Sequence, residues 1–185
     1  MKILINNALA LNKLCELQII YPFFSLDAIF CAGAELILNL TPETAEVYHD
    51  LQCHQHLFEL DYTEEEIPAI YNLQKQFPSL SSFESTSLYL AKREEAVLFA
   101  THKILREAAA DMGIAVCGYD WFFDQMDAEQ VFPPIELFTR WQGLEKLFYS
   151  STDATRPLCV QWFYEGLSLE HRKEKPPKPP GKPDT

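Results

Sequence analysis

Short apolar runs, separated by stretches of helical periodicity, limit most strongly what this chain can fold into. The runs are Lys2–Ile5, Ala28–Cys31, Leu57–Leu60, Ala96–Ala100 and Ile114–Cys117. Their length and composition are typical of strands buried on both faces of a sheet. Because helical segments connect consecutive strands, the strands are expected to run parallel. The predicted fold class is therefore α/β, with a central parallel sheet between two helical layers in an α/β/α arrangement.

Capping residues indicate where several of the connecting helices begin and end. The helical patterns are Ala8–Leu17, Glu35–Leu40, Pro42–Leu51, Ile67–Phe77, Ser81–Arg93 and Lys103–Met112. Thr41 before Pro42 is a favourable helix start, since Thr can cap and Pro at the first turn lacks only an N–H that would be unpaired anyway. Thr63 and Glu66 have the spacing of a capping box. Gly113 is a typical helix stop.

The domain organisation follows from a change of composition near the C-terminus. Residues 1–150 are predicted to form one domain, with its core ending near residue 119 and a helical extension after it. Residues 151–169 are predicted to be a C-terminal helix packing on that domain. The final stretch from Glu170, EHRKEKPPKPPGKPDT, is rich in Pro and Lys and cannot bury apolar surface, so a disordered tail is expected.

Charge and cysteine content exclude several classes of function. The formal net charge is −12, which disfavours binding to the phosphates of nucleic acid or to anionic membrane. No apolar stretch reaches the ~20 residues of a membrane span, and the N-terminus lacks a signal-peptide pattern. The five cysteines have no paired spacing and are expected to be reduced thiols of a cytoplasmic protein.

Three segments together resemble the PIN-domain nucleases, the toxin-like ribonucleases of bacterial toxin–antitoxin pairs. Residues 79–119 read SLSSFESTSLYLAKREEAVLFATHKILREAAADMGIAVCGY. The order is similar to the family's acidic helix start, small-residue helix, apolar strand, Thr-Asp-Asp-like turn, Leu-Arg-x-Ala-Ala helix and Gly-Ile-x-Val-x-Gly strand. The chain start, ILINNALAL, resembles the family's first strand and turn. The helical segment after Gly118 is similar to an extension of some bacterial members, so the resemblance covers about the first 150 residues.

The resemblance implies a metal site that this chain has largely lost. PIN nucleases gather about four acidic side chains at the carboxyl edge of the sheet, where they hold Mg²⁺ or Mn²⁺ for phosphodiester hydrolysis. The matching positions in this chain are Asn6, Asn39, Glu84 and Thr101, with Asn7 and His102 beside them as candidate binding residues. Only Glu84 is acidic. Glu35 or Glu43 could replace Asn39 as an acid, and these two with Glu84 are the metal ligands expected if any metal binds.

A PIN-like protein with a degraded acidic site, non-catalytic and without a cofactor, is accordingly the leading functional hypothesis. It would act by binding an antitoxin-like protein or a second copy of itself, with RNA association weak or absent and no membrane role. By resemblance, the partner surface is formed by the helices around Ala8–Leu17 and Pro42–Leu51. The alternative is a Mg²⁺- or Mn²⁺-dependent endoribonuclease of the PIN toxin type.

Each candidate site residue also has a purely structural interpretation. Glu84 with Ser81 has the spacing of a capping box. Thr101 precedes a helix and is predicted to be its N-cap. Asn6 and Asn7 can hydrogen-bond the turn after the first strand.

Two further groups of residues are interpreted without a site. Cys53, His56 and the upstream His49 are possible zinc ligands, but a closed structural zinc site takes four, so surface polar residues are the favoured interpretation. The C-terminal aromatic residues lack the interleaved Lys and Arg of a nucleic-acid surface and are predicted to pack in the core. They are Trp121, Phe122, Phe123, Trp141, Phe148, Trp162 and Phe163.

Overall fold

A five-stranded, entirely parallel sheet forms the centre of the protein in a computed structural model that describes residues 1–148 and 157–165. The strands are β1 (Lys2–Ile5), β2 (Ile29–Gly33), β3 (Leu57–Leu60), β4 (Val97–Phe99) and β5 (Val116–Cys117). Their order across the sheet is β3-β2-β1-β4-β5. Helices cover both faces, so the predicted three-layer α/β/α class is confirmed.

Nine α-helices occupy the connections and the C-terminal part of the described residues. They are α1 (Ala8–Glu16), α2 (Ile20–Phe24), α3 (Pro42–Cys53), α4 (Ile67–Gln76), α5 (Ser82–Arg93), α6 (Lys103–Asp111), α7 (Tyr119–Ala128), α8 (Pro134–Phe148) and α9 (Leu158–Glu165). The helical extension predicted after residue 119 corresponds to α7 and α8, and α9 lies within residues 151–169, where a C-terminal helix was predicted. The predicted tail from Glu170, and residues 149–156 and 166–169, lie outside the described residues.

The capping signals agree with the structure at three helix ends. The Thr41 hydroxyl accepts a hydrogen bond from the Thr44 N–H at 3.3 Å, at the start of α3. Thr63 and Glu66 form the capping box predicted before α4. Gly113 ends α6 with φ of +69°, a left-handed conformation that glycine adopts without strain.

Three sequence predictions are corrected, and one helix was not predicted. Residues 34–39 form a 3₁₀ segment, Ala34–Asn39, where an α-helix was predicted over Glu35–Leu40. The fifth strand is shorter than Ile114–Cys117, since only Val116 and Cys117 pair with β4. The spacing of Ile67, Ile70, Tyr71 and Phe77 predicts one buried apolar face for α4, but Ile67 and Tyr71 are exposed. The short helix α2 was not predicted at all; its sequence, IYPFF, has too few turns to show periodicity.

Packing of aromatic side chains against one face of the sheet fixes the position of α2. The Phe23 ring lies 4.8 Å from Phe30 of β2, 5.6 Å from Phe99 of β4 and 4.6 Å from Phe122 of α7, measured between ring centroids. Phe122, Phe123 and Trp141 are all fully buried. The prediction that these aromatic residues belong to the core is therefore confirmed, while the side chains of residues 148, 162 and 163 lie outside the described part.

Two further features concern the described helices and the cysteines. None of the helices in the described ranges is both long enough and apolar enough to cross a membrane. The five cysteines all lie within those ranges, and none forms a disulfide.

A buried carboxylate fastens α9 to the rest of the protein. Asp124 of α7 is 8% exposed and accepts a hydrogen bond from the Cys159 N–H at 2.8 Å, in the first turn of α9. Burial raises the pKa of the Asp124 carboxyl, against hydrogen bonds from Leu158 and Cys159 that lower it. Asp124 therefore supplies from another helix the acceptor that an N-cap residue would normally provide.

We expect Asp124→Ala to destabilise the protein by about 1–3 kcal/mol, because it leaves N–H groups at the start of α9 without an acceptor. Asp124→Asn is the matched variant, since its amide oxygen can still accept while no charge is buried. It should cost clearly less than the Ala substitution. The measurement is the free energy of unfolding from urea denaturation, and equal losses in the two variants would contradict this role.

Candidate functional site at the carboxyl edge of the sheet

The strand order reverses between β1 and β4, which places the ends of both strands at one crevice. β1 pairs in parallel with β2 on one side and with β4 on the other. Asn6 and Asn7 follow β1 directly, and Thr101 and His102 follow β4 after Ala100. In open α/β sheets, ligands bind outside the carboxyl ends of the strands at such a reversal. The structure thus places four of the predicted site residues at the expected edge.

A hydrogen bond between side chains bridges the two strand ends. The Asn7 Nδ2 group donates to the Thr101 Oγ1 atom at 3.1 Å. The Asn7 Oδ1 atom accepts from the Ala10 N–H at 3.1 Å and so caps α1. The turn-forming role predicted for Asn7 is therefore confirmed.

The predicted role of Thr101 as an N-cap is wrong. The N-cap of α6 is His102, one residue later, and its side chain makes no capping hydrogen bond. The Thr101 hydroxyl is directed to Asn7, a residue 94 positions away in the chain. Local sequence rules could not predict this contact, since it depends on the pairing of β1 with β4.

Glu84, the one acidic residue among the four matched positions, is held by three hydrogen bonds. Its Oε2 atom accepts from the N–H and the hydroxyl of Ser81, both at 2.8 Å, and the Ser81 hydroxyl in turn accepts from the Glu84 N–H. Its Oε1 atom lies 3.1 Å from His102 Nδ1. The capping box predicted for Ser81 and Glu84 is thus confirmed, and the contact with His102 links it to the end of β4.

The hydrogen bonds to Glu84 favour its ionised form. Burial alone would raise the pKa of this carboxyl, but the bonds from Ser81 and His102 outweigh burial and hold the pKa below its ordinary value of 4.5. Glu84 is therefore a carboxylate at neutral pH whose oxygens already have partners.

Asn6 differs from its neighbours because its amide oxygen has no hydrogen-bond partner. The residue is only 5% exposed, and no described residue donates to its Oδ1 atom. Most buried polar atoms in folded proteins are paired, and the exceptions are often functional. The turn-forming role predicted for Asn6 is not seen at this atom, which is buried between the ends of the strands without a partner.

The other predicted site residues make contacts of their own. The Glu35 carboxylate accepts from the Tyr62 hydroxyl at 2.9 Å. Asn39 is exposed, and its carbonyl accepts from Asn12 Nδ2 at 3.4 Å. Glu43 is exposed in the first turn of α3. Within residues 1–148 and 157–165, no three His, Cys, Asp or Glu side chains are grouped so that they could hold a metal ion.

Two charged residues at the end of β5 were not among the predicted site residues. A Cβ atom added at Gly118 would lie 2.9 Å from Asp120 Oδ1 and 3.3 Å from an Arg106 guanidinium nitrogen. Both groups therefore border the position of this added Cβ atom, which would lie 3.8 Å from the Ala100 carbonyl oxygen. An acidic residue soon after an apolar strand was the available signal for Asp120, whereas Arg106 comes from the middle of α6 and gave none.

Comparison with known proteins gives no relative from which a function could be transferred. No family model matches the chain, and neither the curated proteins nor the solved structures include a significant match. Function is therefore inferred from the residues of this chain alone.

We expect Glu84→Gln to lower the free energy of unfolding by about 1 kcal/mol at neutral pH, since the start of α5 loses a negatively charged cap. The carboxyl has a depressed pKa in the folded state. Its stabilising effect is therefore complete at pH values above the ordinary pKa of 4.5, and it is lost as the pH falls through the lower pKa of the folded state. The difference between the two proteins should accordingly shrink under acid conditions. Urea denaturation across pH measures it.

Glu107→Gln, at an exposed acid of α6, is the control for the removal of one surface charge. It should leave the free energy of unfolding nearly unchanged. A Glu84→Gln protein whose deficit is independent of pH would contradict the role given to the charge.

Proposed function

We propose that this chain is a PIN-like domain that does not hydrolyse RNA and acts by binding a protein partner. The proposal rests on the hydrogen bonding of the Glu84 carboxylate. Both of its carboxylate oxygens are occupied by hydrogen bonds from Ser81 and His102. The one acid kept from the expected metal site therefore serves as a helix cap.

The scarcity of negative charge at the carboxyl edge of the sheet also supports a non-catalytic role. Asn6 and Thr101 offer neutral oxygens, and Thr101 is already bonded to Asn7. Hard divalent cations lose their hydration shell reluctantly, and carboxylate charge provides much of the compensation. A cation binding here would also have to displace partners of Glu84, each hydrogen bond contributing about 1 kcal/mol or more. Affinity for Mg²⁺ or Mn²⁺ is expected to be low.

Exposed apolar side chains along α1 and the 3₁₀ segment support binding of a protein. Leu9 is 53% exposed and Leu38 is 79% exposed. Asn12 lies one turn after Leu9 on α1, and it bonds the Asn39 carbonyl next to Leu38. Leu9 and Leu38 therefore flank one interhelical hydrogen bond on a shared surface, hereafter the α1 surface. Apolar side chains bordered by polar groups are typical of protein interfaces.

The alternative, a metal-dependent endoribonuclease, is favoured by two specific observations. The Asn6 Oδ1 atom is unpaired and buried at the crevice, where it could serve as an oxygen ligand. Asp120 is a second acid at the same edge, one strand away. These groups would have to cooperate with Glu84 after it released its present partners.

A charge-restoring variant separates the two functions. We expect the wild-type chain to show no saturable Mn²⁺ binding by calorimetry and no Mn²⁺-dependent RNA cleavage. Asn6→Asp combined with Thr101→Asp places two carboxylates at the ends of β1 and β4 and should produce saturable Mn²⁺ binding, at least about tenfold (1.4 kcal/mol) tighter than the detection limit that applies to the wild-type chain. RNA cleavage by the wild-type chain that is lost in Glu84→Gln would contradict the proposal.

Partner binding is tested by placing charge on the α1 surface. Leu9→Asp with Leu38→Asp should abolish capture of a specific partner from the native host, because desolvating two carboxylates opposes burial of this surface. Asp in the first turn of α1 is compatible with the helix itself. Ile135→Asp, at a 64% exposed residue of α8, is the control and should keep the partner. Equal capture by all three proteins would show that the α1 surface is not the interface.

A further inference from the structure

His49 and Cys53 lie one turn apart on the exposed side of α3. Both side chains are exposed, whereas Thr44, Tyr48 and Leu51 form the buried side of the helix. Residues four apart in a helix are neighbours on its surface. The His49 Nε2 atom accordingly lies 3.6 Å from the Cys53 Sγ atom.

The distance between these two atoms fits one edge of a tetrahedral zinc site. Zn–S bonds of about 2.3 Å and Zn–N bonds of about 2.0–2.1 Å, at a tetrahedral angle of about 109°, separate sulfur from nitrogen by about 3.6 Å. The observed separation of 3.6 Å therefore allows one ion to contact both atoms without movement of the backbone. Thiolate and imidazole are the ligands that Zn²⁺ prefers over Mg²⁺ or Mn²⁺.

The surroundings of the pair favour a cation. Cys53 is the last residue of α3, where the helix dipole places partial negative charge. Glu46 precedes His49 by three residues, so an exposed carboxylate neighbours the histidine on the helix surface. Asp50, three residues before Cys53, adds a further negative charge nearby, although its carboxylate oxygens contact Tyr21 and His54.

Two ligands complete only half of a closed zinc site. A structural zinc ion takes four protein ligands, and no third His, Cys, Asp or Glu joins the pair among the described residues. His54 is turned back to the Asp50 carbonyl oxygen at 2.9 Å. A second copy of the chain related by a two-fold axis would supply an identical pair, since a symmetric interface brings the same patch together from both copies.

We propose that His49 and Cys53 form a zinc half-site through which two copies of this chain associate. One Zn²⁺ ion is held by two imidazole nitrogens and two thiolate sulfurs, and each Cys53 thiol releases its proton to solvent on binding. The zinc half-site shares no residue with the carboxyl edge of the sheet, so a negative result for zinc binding would leave the proposed function unaffected. Mn²⁺, which prefers oxygen ligands, is not expected to bind at this pair.

Cobalt and zinc titrations of the full chain test the half-site, in buffer with a non-chelating phosphine reductant. Co²⁺ replaces Zn²⁺ and reports cysteine ligation by a thiolate-to-metal absorption band. We expect this band in the wild-type chain and its loss in Cys53→Ser and in His49→Gln. Cys15→Ser and His56→Gln are the matched controls and should keep it. Absence of the band from the wild-type chain, or its persistence in Cys53→Ser, would overturn the site.

Sedimentation with Zn²⁺ tests the association of two copies. We expect conversion of monomer to dimer at one ion per two chains, reversed by EDTA and lost in both ligand variants. Binding of one Zn²⁺ ion to each chain, with the protein remaining a monomer, would overturn the two-fold arrangement. A dimer that resists EDTA and is reversed only by reductant would show a disulfide in place of a metal. Since both side chains are exposed, neither substitution is expected to prevent folding.

Discussion

Burial of β1 at the centre of the sheet is the constraint on which the rest of the structure depends. Ile3, Leu4 and Ile5 are each at most 1% exposed, and β1 pairs with β2 on one side and β4 on the other. Ile3 and Ile5 belong to the core on one face of the sheet, and Leu4 belongs to the core on the other. Because the backbone groups of a buried strand must be paired and both of its faces covered, this position requires a neighbouring strand on each side and a helical layer on each face.

The same arrangement accounts for the chemistry of the carboxyl edge. Since the chain leaves β1 and β4 at adjacent points, the residues that follow these strands meet whatever their type. Here they are amides, a hydroxyl and an imidazole; Asn7 bonds to Thr101, and His102 bonds to Glu84. Asn7 donates to Thr101 while its oxygen caps α1, which an ionised Asp could not do because it has no donor. Neutral residues thus hold the ends of β1 and β4 together at the carboxyl edge of the sheet.

The two proposed modes of association use different physical interactions. The α1 surface offers exposed leucines beside polar groups and relies on burial of apolar area. The zinc half-site offers little apolar area, and its binding energy would come from metal–ligand bonds.

The sequence by itself determined the class of the fold, the positions of the strands and most helix ends. These features depend on local periodicity and capping, which act over a few residues; Thr41, Thr63, Ser81 and Gly113 all behave as local rules predict. The tertiary structure alone decided the partner of Thr101, the unpaired oxygen of Asn6, the place of Arg106 and the existence of α2. Each depends on contacts between segments far apart in the chain, such as Phe23 with Phe122 or Asn7 with Thr101. Local patterns carry no information about such contacts, because strand order and packing decide which segments meet.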